Sequence, residues 1–211
     1  MKPRVLIAYV ACSLVYIVAG DAIVAAQGET ATALVKATPI ALLLMTSALI
    51  GSNKWLPAAL GFGACGDMLL AYQQFVPGLA AFLVGHVIYI VLWTRQVDKA
   101  RLWYTLPVLI FAIVISWILI PYLGDMAVPV VIYIAVIVLM VASATISKLA
   151  NVWGLLGVYS FLLSDLLIAW NRFVEPITMS GLLIMSSYYF AQIAIASSVL
   201  SQSKRHTPDQ P

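Results

Sequence analysis

Two segments of the chain repeat a pattern suited to acid–base chemistry in an apolar setting. Residues 67–76 read Asp-Met-Leu-Leu-Ala-Tyr-Gln-Gln-Phe-Val, and residues 165–174 read Asp-Leu-Leu-Ile-Ala-Trp-Asn-Arg-Phe-Val. Five of the ten positions are identical (Asp, Leu, Ala, Phe and Val), and most of the others are conservative pairs. In both copies the carboxylate stands inside an apolar run. An ionisable side chain in such a run is costly and rare, and it usually faces a cavity or a partner. Asp67 and Asp165 can be structural, hydrogen-bonded to backbone or to each other's helix. They can equally be a working pair, one giving a proton while the other holds charge or water.

Other polar groups fall in similar surroundings. His86 is the only histidine inside an apolar run, and imidazole serves as acid, base or water holder. It stands i,i+3 from Tyr89, while Tyr188 stands i,i+4 from Gln192, so each pair shares a helix face. Tyr133 adds another phenol, although packing is the plainer reading for any single tyrosine. Lys36 is either the partner of a buried carboxylate or a lysine snorkelling to the membrane surface. Asp21 reads as a helix-end or ion-pair residue. Asn171 and Arg172 form either a loop cap or a phosphate contact. Gly63, four residues before Asp67, lets a neighbouring helix approach closely, and Ser164 reads as a small packing residue.

The elements that position these groups follow from composition. Of 211 residues, 64% are hydrophobic and 9% charged, with a mean hydropathy of +1.05. A soluble domain carries roughly 25% charged residues, so the bilayer must be the main solvent. In lipid only helices or closed barrels satisfy the backbone, and the long apolar runs without period-2 alternation select helices. The expected fold is all-α and polytopic, a single domain over 1–201 with a disordered cytoplasmic tail over 202–211. Eight spans are expected, at about 5–25, 31–50, 55–72, 79–95, 103–121, 127–147, 152–170 and 177–200. The first resembles a signal peptide but is long and lacks a persuasive cleavage site, so it reads as a retained span.

Charge orients the spans. With both termini cytoplasmic, inner segments hold Lys2, Arg4, Lys54, Arg95, Lys99, Arg101, Lys148, Lys204 and Arg205. The outer loops hold Arg172 beside Glu29, Asp125 and Glu175, as the positive-inside rule requires. The two aspartate motifs then occupy spans three and seven, which points to a four-plus-four parallel repeat with halves near 1–100 and 101–201. Asp67 and Asp165 come to lie in the outer halves of their spans, and His86, Tyr133, Tyr188, Tyr189 and Gln192 between mid-bilayer and the outer third, a layer that suggests one polar chamber.

Several chemistries lack support. There is no Gly-x-Ser-x-Gly elbow for a hydrolase triad and no Walker, Rossmann or haem-attachment signature. The other histidine, His206, belongs to the polar tail, which removes a three-histidine zinc site. An Asp-His-Asp metal site would be an unusual ligand set, and neither metal nor cofactor is expected. The net charge of +3 is spread along loops, so no nucleic-acid partner is expected. Cys12 and Cys65 read as small core residues. Oligomeric state is not legible.

The ordered set Lys36…Pro39, Gly66-Asp67, Phe75…Gly78-Leu79…Phe82…Gly85-His86…Tyr89, Tyr133…Met140, Ser164-Asp165…Asn171-Arg172-Phe173 and Tyr188-Tyr189…Ala191-Gln192 resembles the YhhN-like lysoplasmalogenase family. The likeness runs from the second span to the last. It departs at Lys36-Ala37-Thr38-Pro39, where the family pattern pairs Lys with Pro directly. The resemblance implies an integral-membrane hydrolase that cleaves the vinyl-ether bond of lysoplasmalogens to a fatty aldehyde and a glycerophospho-head group. It also implies a lysophospholipid partner and, in a bacterium, residence in the inner (plasma) membrane. The family's acidic residues correspond to Asp67 and Asp165, which would divide the roles of proton donor and cation stabiliser as paired carboxyls do in glycosidases. His86 and the tyrosines, Tyr133 and Tyr188 among them, would hold water or tune the pair, Arg172 or Lys36 would receive the phosphate, and Asn171 and Gln192 would bind substrate or support the site. A small proton-coupled transporter or a non-catalytic lipid-binding protein would use the same groups differently.

Overall fold

The computed structural model describes residues 3–50 and 53–203, the side chains of Asp21 and Ser203 excepted. The expectations for Lys2, the Asp21 carboxylate, Gly51-Ser52, Lys204, Arg205 and His206 lie outside the described residues. Seven α-helices follow one another among those described: α1 (Pro3–Ile50), α2 (Trp55–Ala71), α3 (Phe75–Trp93), α4 (Leu106–Leu123), α5 (Ala127–Ile146), α6 (Val152–Phe173) and α7 (Ser180–Ser203). Two 3-10 turns, Lys99–Thr105 and Gly124–Met126, lead into α4 and α5. The all-helical expectation holds.

The boundaries have local causes. α1 runs almost unbroken through the expected loop at Gln27-Gly28-Glu29; only Gly28 leaves the helical region, with φ 78° and ψ −176°. That backbone conformation is open to glycine and strained for other residues. α3 begins at Phe75, earlier than expected, because Pro77 falls in the first turn, where a missing N–H costs nothing. Asn151 caps α6, its side chain accepting from the Gly154 N–H at 3.1 Å. α7 continues through Ser203, so Gln202 and Ser203 are helical rather than part of a tail that starts at 202.

Among the described residues six stretches are long and apolar enough to cross a membrane: Pro3–Gly20, Ala22–Ile50, Phe75–Trp93, Lys99–Ile146, Val152–Phe173 and Ser180–Gln202. The number falls below eight for two reasons. The 3-10 turns at Lys99–Thr105 and Gly124–Met126 run without a break into α4 and α5 to make one 48-residue stretch, and α2 has only 17 residues. Large aliphatic and aromatic side chains lie open around the circumference, including Leu49 at 85%, Val18 at 82% and Trp117 at 77% exposure. A surface of that kind is stable in hydrocarbon and not in water. The protein is an integral, multi-pass membrane protein. Cys65 belongs to this exposed surface and Cys12 is half-buried, so neither is the core residue expected.

The closest helix packing involves glycine. A Cβ on Gly157 of α6 would meet the Ile195 amide nitrogen of α7 at 2.9 Å and the Ala191 carbonyl oxygen at 3.0 Å, so the two backbones touch directly there. At one end of the bundle the loop after α3 is laced to the loop after α5. The Asp98 N–H donates to the Ile146 carbonyl and the Lys148 N–H to the Gln96 carbonyl, each at 2.7 Å. Lys54 and Arg95 stand over the Trp55 ring at this same end, 5.5 and 5.9 Å from its centroid.

Candidate active site

Two polar clusters sit within the bundle, each built around one of the motif aspartates. In the first, the Tyr133 hydroxyl of α5 donates to Asp165 Oδ2 of α6 at 2.7 Å. His86 Nε2 of α3 lies 3.8 Å from the same oxygen, too far for a direct hydrogen bond. His86 is 1% exposed, and neither ring nitrogen has a hydrogen-bond partner. Its ring packs edge-on against Tyr133 and Phe161, at centroid distances of 5.4 and 4.7 Å. A buried imidazole with both nitrogens unpaired is rare, because buried polar atoms nearly always find a partner. The site therefore has hydrogen-bonding capacity to offer a small polar guest.

The second cluster is closed upon itself. Asp67 of α2 is 1% exposed, with Oδ1 3.6 Å from Lys36 Nζ of α1 and Oδ2 accepting from the Tyr188 hydroxyl of α7 at 2.7 Å. Gln192 Nε2 donates to that hydroxyl at 3.3 Å, and Gln192 Oε1 accepts from the Tyr89 hydroxyl at 2.9 Å. Behind Lys36, the Tyr189 hydroxyl donates to the Lys36 carbonyl at 2.8 Å and the Tyr9 hydroxyl to the Tyr189 carbonyl at 2.7 Å. Lys36 is therefore a buried ion-pair partner and not a snorkelling lysine. Gly63 makes the crowding possible, since a Cβ there would lie 3.1 Å from Gln192 Nε2 and 3.4 Å from the Tyr188 hydroxyl.

Rings divide the clusters. Phe161 packs edge-on against His86 on one side and Tyr188 on the other, with Phe82 against both Phe161 and Tyr188. The expected single chamber is thus two compartments with an aromatic partition. His86 and Tyr89 share a face of α3 as expected, yet that face is broad enough for His86 to join Asp165 while Tyr89 joins Gln192. Sequence reasoning passed over Phe161 and Tyr9, and took Phe82 only as one position of the family pattern. A signal for both phenylalanines was available: Phe161 is four residues before Asp165 and Phe82 four before His86, each on the same helix face. Tyr9 carried no signal.

The Asp165 compartment opens into a cavity. It is lined by residues of α2 to α6, among them Leu79 and Phe82, Phe111 and Ile115, and Leu162 and Leu166. Among the described residues Tyr133 and Asp165 are the only polar side chains in its lining, and Asp67 is not part of it. Its volume is about 50 Å³, several times the space one water needs. At the end nearest the α2–α3 turn, Phe75 and Phe173 close the lining with rings 6.0 Å apart. Arg172, exposed there, lays its guanidinium carbon 3.8 Å from the Phe75 ring centroid. Its neighbour Asn171 serves the loop, Oδ1 accepting from the Ile177 N–H at 2.8 Å. Among the described residues no three His, Cys, Asp or Glu side chains group closely enough to hold a metal ion; Asp67 and the Asp165–His86 pair fall in different compartments.

Comparison with known families then decides where the chain belongs, because the YhhN family model matches residues 31–199. The chain is a member of the YhhN family. Its curated relatives include human lysoplasmalogenase TMEM86B, 32% identical over 181 residues that make up 80% of this chain and 75% of that protein. Lysoplasmalogenase TMEM86B of Rattus norvegicus is 32% identical over 200 residues, 90% and 81% of the two chains. The lysoplasmalogenase of Mycobacterium tuberculosis is 32% identical over 157 residues, 69% and 60% of the two chains. No solved structure matches this YhhN-family chain. Every side chain of both clusters except Tyr9 falls inside the YhhN-matched region, so both compartments belong to the family part of the chain.

Proposed function

We propose that this protein hydrolyses the vinyl-ether bond of lysoplasmalogens at the Asp165 compartment. The observation that carries the reading is an apolar cavity inside the helical bundle whose polar lining, among the described residues, is one carboxyl and the phenol bonded to it. The relatives named lysoplasmalogenase supply the reaction class. Hydrolysis needs a proton delivered to the second carbon of the alkenyl chain, which leaves an oxocarbenium ion at the first. In this reading the Asp165 carboxyl gives that proton, and the resulting carboxylate faces the cation it has created. Water held near His86 attacks the first carbon and returns a proton to Asp165. The hemiacetal then separates into an aldehyde and a glycerol hydroxyl. Tyr133 orients the carboxyl, and Asp67, held by Lys36 and Tyr188 behind the aromatic partition, positions the wall against which the substrate lies.

Dimensions favour this placement. Arg172 follows Asp165 by seven residues, about 10 Å along the helix. Seven bonds join the protonated carbon of the substrate to phosphorus, about 8 Å when extended. A phosphate on Arg172 therefore brings the vinyl ether beside Asp165 once the arginine side chain bends towards its own helix.

The same reading extends to topology. Taking the arms of α1 on either side of Gly28 as two spans, and α2 as a short one, gives eight spans with both termini cytoplasmic and the Arg172 mouth on the far side. A four-plus-four repeat is supported by crossed contacts. Asp67 and Asp165 are each met from the preceding span, by Lys36 and Tyr133, and from the last span of the other half, by Tyr188 and His86. The residue four before each aspartate, Gly63 or Phe161, faces that same crossing group.

The test uses the full chain purified in detergent. Given a 1-alkenyl lysophosphoethanolamine, it releases fatty aldehyde; the saturated 1-alkyl analogue, which has no double bond to protonate, is not cleaved. Cleavage of the alkyl ether, or no aldehyde from the alkenyl lipid, would overturn the proposal.

A further inference from the structure

We infer that the substrate's hydrocarbon chain leaves the protein sideways, through a cleft between α4 and α6, so that only its first few carbons are held by protein. This rests on the hydrolase reading and adds a route to it. A shallow apolar cleft is lined by Pro107, Val108 and Phe111 of α4 and by Tyr159, Leu162 and Leu166 of α6, among others. Phe111, Leu162 and Leu166 also line the cavity that contains Asp165, so the two spaces share a wall. The cleft exists because α4 packs chiefly on α5 and only lightly on α6.

The occupant is set by continuity. Tyr159, Leu162, Leu166, Ala169 and Phe173 recur at spacings of three and four, a single stripe along α6. Its upper members line the cavity, ending at Phe173 beside Arg172, and its lowest member, Tyr159, lines the cleft. A lipid with its phosphate at Arg172 and its ether at Asp165 must send its chain down this stripe. From Asp165 to Tyr159 is six residues, about 9 Å, which about seven chain carbons span at the advance per bond of an extended chain. Sixteen carbons extend about 19 Å by the same measure, so the remainder lies outside the cleft. Tyr159 and Phe111 are 43% and 39% exposed at its edge, where that remainder meets the bilayer.

The test scans the chain with a bulky substituent. Alkenyl lysolipids carrying a doxyl ring at chain carbon 5, 8, 12 or 16 are assayed with the full-length protein in detergent. The ring at carbon 5 should lower kcat/KM about ten-fold or more relative to carbon 16, with carbons 12 and 16 matching the unsubstituted lipid. Phe111→Ala, which widens the shared wall, should shrink the penalty at carbon 5. Sensitivity persisting to carbon 16, equal tolerance at every position, or a penalty that Phe111→Ala leaves unchanged would overturn the sideways route. Failure to cleave even the unsubstituted alkenyl lipid would instead overturn the hydrolase reading beneath it.

Discussion

Asp165→Asn should abolish most aldehyde release while leaving the helical bundle intact. The amide is nearly isosteric, and its oxygen still accepts the Tyr133 hydroxyl that now bonds Asp165 at 2.7 Å. The side chain is only 10% exposed and makes no ion pair with Lys or Arg among the described residues, so its replacement strands no buried cation. What disappears is the transferable proton. Loss of a positioned general acid lowers rates by about 10²–10⁴-fold, and the drop should fall on kcat, because the substitution leaves untouched the apolar cavity and Arg172, which the proposed function assigns to lipid binding. Single-turnover aldehyde release, set beside a thermal melt in the same detergent, separates the two effects. A variant that turns over normally would remove Asp165 from the chemistry.

Asp67→Asn should behave in the opposite way, with stability suffering first. Its carboxylate answers Lys36 at 3.6 Å, and both side chains are out of solvent, at 2% and 10% exposure. Removing one partner of a buried ion pair leaves the other charge uncompensated, at a cost of about 3–5 kcal/mol. The double variant Lys36→Met/Asp67→Asn takes out both charges and should recover most of that loss, since apolar replacement of a buried pair is often neutral. Melting temperatures of the two single variants and the double form a double-mutant cycle. Additive losses, with no recovery in the double variant, would show that the Lys36–Asp67 pair does not hold this compartment together.

The contrast between the two aspartates marks the limit of what could be read from residues in order. Their shared motif is plain in the sequence, and so is a helical fold, because long apolar runs without period-2 alternation leave the backbone no other way to satisfy itself in lipid. The break at Gly28 is legible because glycine is the residue that tolerates its backbone angles. Azimuth is another matter. Which side chains of α3 reach towards α6 and which towards α7 depends on how closely α2 and α6 seat on α7, and Gly63 and Gly157 set those distances only once their neighbours are known. One chamber was therefore the natural expectation, and two compartments are what the rings of Phe82 and Phe161 make of it. The sequence allows Lys36 two roles of equal merit, and only its nitrogen, 3.6 Å from Asp67 Oδ1, distinguishes ion pair from snorkelling. Asn171 and Arg172, adjacent in sequence, part company for a similar reason: one points into its own loop and the other lies across Phe75 at the mouth of the cavity.

The central claim is that the scissile bond lies beside Asp165, and photolabelling of the unmodified protein tests it most directly. A lysophosphoethanolamine with an alkyl ether chain and a diazirine at its second carbon is not consumed, and it reports the residues around that carbon when irradiated. Mass spectrometry of the labelled peptides should find the adduct on α6 at Asp165 or on its cavity neighbours Tyr133 and Leu162, and excess lysoplasmalogen should suppress it. Competable labelling at Asp67 or along α1 would contradict the account.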